Sequence, residues 1–210
     1  MTRFLPSAVA EFLQHYAQDA RQRWFPEDLA AQEAFVREQT ANVDWTDWST
    51  ESAARQLLQT SLVATADGLG GRHEAILVTG PIVELLDPAA LFGRAAGRLQ
   101  PEGRLVGIIP CLRDNSPESQ LFAQFAASTF WPYYTAEEFT EMLREAGFSP
   151  VLETTRFVAV TRFNEAVLKD ELGFKGFSKA FQQLQAEGYD PMEVGWGELR
   201  FVASLMQARS

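Results

Sequence analysis

The chain carries a single cysteine, Cys111, and two histidines, His15 and His73, among 210 residues. One thiol excludes a disulfide within the chain and a cysteine-built zinc site, and two histidines are too few for a histidine-rich metal centre. No metal is expected. Glycine is missing before Gly68, so nothing upstream supplies the tight backbone turns that cradle a nucleotide phosphate. No run of Lys or Arg offsets the excess of 28 acidic over 18 basic residues, and the formal charge of −10 sets the surface against nucleic-acid phosphates and anionic lipid. No stretch approaches the roughly 18 uninterrupted apolar residues of a membrane helix. Glu11, His15 and Asp19 interrupt the apolar N-terminus, where no signal-peptide core with a small-residue cleavage site can be drawn. These absences predict a soluble cytoplasmic protein that binds neither nucleic acid nor membrane. The motifs of several enzyme classes are also missing: the G-x-S-x-G nucleophile elbow, the H-E-x-x-H zinc helix and the phosphate-binding P-loop.

What is present is a chain 46% apolar, with clear punctuation from Glu74 onward. Upstream, Val9, Phe12, Leu13 and Tyr16 recur at helical spacing. A second helical segment opens with Pro26 and carries Leu29, Phe35 and Val36, and a third covers roughly 51–59. Residues 1–58 thus read as a helical extension, and 59–210 as an α/β domain. Asp44-Trp45-Thr46-Asp47-Trp48 reads as a polar loop whose paired tryptophans either stack on a ligand or pin the loop to the core. Ser61–Ala66 has strand character and ends at Asp67, before the turn Gly68-Leu69-Gly70-Gly71. That turn leads into another apolar run, Ala75–Thr79, and lacks the helix a nucleotide loop requires.

The strand Ala75–Thr79 stops at Gly80-Pro81. Asp87-Pro88 then pairs a capping residue with proline at the first helical position. Leu91, Phe92, Ala95 and Leu99 form one apolar face, Pro101-Glu102-Gly103 turns the chain, and Arg104–Ile109 is apolar enough for a strand covered on both sides. Strand, helix, strand implies a right-handed parallel crossover. Thr135-Ala136-Glu137-Glu138 is a capping box for a helix ended by Gly147. The run 151–163 reads as a long strand, 164–172 and 177–187 as short helices, and 199–206 as a last strand that would pair with 151–163 in an antiparallel hairpin at one sheet edge.

Leu85-Leu86-Asp87-Pro88, Leu99-Gln100-Pro101-Glu102-Gly103-Arg104-Leu105, Tyr134-Thr135-Ala136-Glu137-Glu138-Phe139 and Leu143-Arg144-Glu145-Ala146-Gly147-Phe148 together resemble the C-terminal half of class I S-adenosylmethionine-dependent methyltransferases. The resemblance covers roughly residues 60–210. It implies an α/β fold with a partial Rossmann-like methyltransferase sheet, parallel with an antiparallel C-terminal edge hairpin and preceded by N-terminal helices. It also implies S-adenosylmethionine as the cofactor. In the family a strand ending in Asp-x-Gly-x-Gly grips that cofactor, and an acidic residue closing the next strand holds its ribose. Neither is found here. The expectation is a degenerate member without independent catalysis, acting through a small-molecule ligand, a protein partner or a homodimer. The alternative is an active small-molecule methyltransferase with an unconventional donor site.

By the same resemblance, Asp67, Gly68 and Leu69 match the segment that contacts the adenine, and Thr79, Gly80 and Pro81 match the position beside the methionine and acceptor. Each group also has a plain reading, as a turn and as a strand stop. The aromatic passage containing Phe130, Trp131, Tyr133 and Tyr134 either lines an apolar substrate pocket, covers the sheet or meets another subunit. If a base is used, His73, Glu84, Tyr133 or Tyr134 are the candidates. No catalytic residue is assigned. Cys111 follows Pro110 at the end of a strand, a place where a nucleophile could sit, and reads as either that or an unassisted buried thiol, the commoner case.

Overall fold

The computed structural model describes residues 26–41, 45–47, 72–79, 86–129, 131–156, 160–171 and 175–206. The expected helices at 8–16 and 51–59, the expected strand 61–66 and the turn at Asp67, Gly68 and Leu69 lie outside these residues. In chain order the elements are α1 (Pro26–Thr40), β1 (Trp45–Asp47), β2 (His73–Thr79), α2 (Pro88–Arg98), β3 (Leu99–Leu112), α3 (Pro117–Thr129), α4 (Ala136–Glu145), β4 (Phe148–Arg156), α5 (Val160–Leu168), α6 (Lys175–Ala186), a 3-10 turn (Pro191–Glu193) and β5 (Trp196–Leu205). The five strands lie in the order β1-β2-β3-β5-β4. The chain divides into two compact units. One comprises 1–31, 110–136 and 154–198; the other comprises 32–109, 137–153 and 199–210.

The second of these units holds the parallel part of the sheet. Ala75–Val78 are buried, and β2 pairs in parallel with β3 from Ala75 opposite Arg104 to Thr79 opposite Ile108. The crossover helix α2 begins as its sequence demands: Asp87 accepts a hydrogen bond from the Ala90 N–H at 3.1 Å, and Pro88 fills the first turn without wasting a donor. The expected turn at Pro101–Gly103 is a bulge within β3. His73 pairs with Leu99 and Ala75 with Arg104, so the residues between leave the ladder. Phe92 of α2 packs edge-on against Phe139 of α4 and Phe201 of β5, with ring centroids 6.4 and 6.1 Å away. Gly107 is glycine because the Phe201 ring occupies the place of its side chain. Gly147 stops α4 at a φ of +88°, a conformation that costs a side-chain-bearing residue more.

Antiparallel pairing of β5 with both neighbours follows from the order of contacts. Gly107 meets Phe201 while Arg113 meets Gly195, and Gly147 bonds to Met206 while Gly197 lies against Thr155. The edge hairpin expected from sequence is therefore present, with a helical insertion between its strands.

Two further expectations are corrected, and one helix that the sequence reading did not place is added. Trp45–Asp47 is a short strand in parallel register with Ala75–Leu77, not a loop. Its three residues carry too little pattern to show as a strand, and the hydrogen bonds of β2 dictate its form. The strand β4 ends at Arg156, and Val160–Phe163 opens α5. Val160, Phe163, Asn164 and Val167 are buried at helical spacing, which an apolar run disguises as a strand. Finally, 117–129 is a helix that the aromatic passage concealed. Ser116 caps it by accepting from the Ser119 N–H at 3.2 Å, with Pro117 at its first position.

Replacing Gly107 with Ala drives a methyl group into the Phe201 ring. Chemical denaturation should show a loss of about 2 kcal/mol, as for an overpacked core. An unchanged midpoint would mean that β3 and β5 are spaced differently.

Candidate functional site

Open α/β sheets bind ligands at the carboxyl ends of their strands. In the first unit that place is the end of β3. The Leu112 N–H donates to the Tyr134 carbonyl at 2.9 Å, and the Arg113 N–H donates to the Gly195 carbonyl at 2.8 Å, so backbone bonds fix the strand end. Asp114 then folds over the start of α3. Its Oδ1 accepts from the Ser119 hydroxyl at 2.8 Å and from the Ser116 N–H at 3.2 Å. The Ser116 hydroxyl donates to that of Ser119 at 3.0 Å, and the Gly195 N–H donates to Ser119 Oγ at 3.2 Å. Burial pushes the Asp114 carboxyl up, but the Ser119 and Ser116 side chains, the Ser116 N–H and the Arg113 charge outweigh it and hold it below its ordinary value. The group is an ionised, preorganised carboxylate. The described residues of this unit include no histidine, and the base beside Ser119 is the Asp114 carboxylate.

One turn beyond Ser119, Phe122 begins an aromatic core. Its ring centroid is 4.8 Å from Trp196, 5.6 Å from Tyr133 and 5.6 Å from Phe181. Trp196 also meets Tyr133 at 4.9 Å, Phe177 at 5.3 Å and Phe163 at 6.3 Å. Edge-to-face contacts dominate, the arrangement ring quadrupoles favour. Three polar atoms described in this unit are buried without a partner: the Trp196 Nε1–H, Asn164 Oδ1 and Gln183 Oε1. The other side of the Asn164 amide donates to the Pro191 and Val194 carbonyls at 3.2 and 3.5 Å.

Of the residues singled out from sequence, Trp131 and Tyr133 are 2% and 6% exposed, and Tyr133 belongs to the aromatic core. Tyr134 is half-buried and holds Leu112 through its backbone, while Phe130 lies outside the described residues. In the other unit, Thr79 closes β2 and is half-buried. His73 opens that strand, at the end opposite its carboxyl terminus. Gly80, Pro81, Glu84, Asp67, Gly68 and Leu69 lie outside the described residues. Sequence reading passed over the trio Asp114, Ser116 and Ser119, although Ser116-Pro117 is a recognisable helix start. It also passed over Asn164 and Trp196, which carry no motif. Among the described residues no group of His, Cys, Asp and Glu is placed to hold a metal ion.

No protein-family model and no curated protein matches the chain. Solved structures do. A candidate sarcosine dimethylglycine methyltransferase from Galdieria sulphuraria aligns with a TM-score of 0.50 at 12% identity, over 84% of this chain and 85% of that one. Its chain fold is shared here. A geranyl diphosphate C-methyltransferase from Streptomyces coelicolor A3(2) aligns at 0.44 and 15% identity, over 74% of this chain and 59% of that one. The cyclase SpnF aligns at 0.40 and 16%, over 64% of this chain and 50% of that one. This chain thus spans about half the length of SpnF. At such identities the likeness concerns architecture alone: a partial Rossmann-like methyltransferase sheet.

Two outcomes follow from the buried end of β3. Burial, reinforced by the neighbouring Glu198 charge, pushes the Cys111 thiol up to about 12. The native protein should therefore resist iodoacetamide at mildly alkaline pH and label only in denaturant; prompt native labelling would contradict the packing. Asp114 has a folded pKa below its ordinary 3.8, so its contribution to stability is present above that value and disappears as pH falls through the folded one. The gap in urea midpoint between wild type and Asp114→Asn should be open at neutral pH and close in acid. A gap independent of pH would contradict the assignment.

Proposed function

We propose that this chain is a methyltransferase-fold protein without independent methyl transfer, acting by binding a small ligand or a protein partner. One observation carries the reading. The strand lying parallel beside β2 is β1, and the chain leaves it through Trp48-Ser49-Thr50-Glu51, with no glycine until Gly68. In the family this chain resembles, a glycine-rich turn at such a strand brings backbone N–H groups close to the donor. Bulky side chains follow β1 instead, and the residues present do not fit that grip. Transfer from a sulfonium depends on positioning far more than on acid or base groups, so losing the grip removes most of the acceleration available.

A second reading has its own support. The strand β1 closes on an acidic residue, Asp47, opposite Leu77 in the parallel ladder. An acid ending a strand is the type of residue that holds ribose hydroxyls in the resembled family. A donor held through Asp47 and Asp67 rather than through glycine would make the chain an active methyltransferase on a small molecule.

Titration calorimetry with S-adenosylmethionine and S-adenosylhomocysteine separates the two. The proposal expects no heat of binding. Micromolar binding to either compound overturns it, and a loss of that binding in Asp47→Asn or Asp67→Ala would locate the donor.

A further inference from the structure

We draw no further inference here: the strongest candidate, the outer edge of β4 with its exposed Val151 and Leu152, is an apolar edge without a partner strand among the described residues, and nothing in the structure shows what covers it.

Discussion

Everything described here depends on β3 being buried. From Leu105 to Leu112 the strand is covered throughout, and a strand with no solvated face can sit only inside a sheet with cover on both sides. That constraint fixes β2 in parallel beside it through the α2 crossover, admits β5 close enough for Phe201 to occupy the space over Gly107, and carries the chain to Asp114. The strand contributes to both compact units, its first residues to one and its last to the other. Packing in the parallel sheet and chemistry at the strand end are therefore properties of one continuous element.

Much of this was legible in the residues. Asp87-Pro88 announces α2 because a capping side chain and a proline lacking an N–H both suit the first turn of a helix. Gly147 announces the end of α4 because the positive φ there penalises any other residue. The apolar text of β2 and β3 could belong to little but a covered sheet. What was not legible has physical reasons as well. The strand β1 is three residues long and takes its conformation from a partner about thirty residues away, so no local pattern carries it. The start of α5 has apolar residues that satisfy strand and helix periods alike. The hydrogen bond from the Gly195 N–H to Ser119 joins segments 76 residues apart, which no local pattern displays.

The same contrast bears on function. A shared sheet says little about activity, since activity belongs to the site and not to the scaffold. Here the scaffold keeps the strands that order a methyltransferase-like sheet, while the text after β1 lacks the glycines by which the resembled family holds its donor. The insertion between β4 and β5 adds α5, α6 and the 3-10 turn. Their rings join Phe122, Tyr133 and Trp196 in a core beside an ionised carboxylate.

The central claim is that no donor is held at the carboxyl ends of β1 and β2. Hydrogen–deuterium exchange with and without excess S-adenosylhomocysteine tests it at the residues concerned, because a bound ligand slows the opening of the backbone it touches. The account predicts identical exchange across residues 45–47 and 73–79 in both samples. Protection of those strands by the compound would contradict it and show that the fold still holds the family's cofactor.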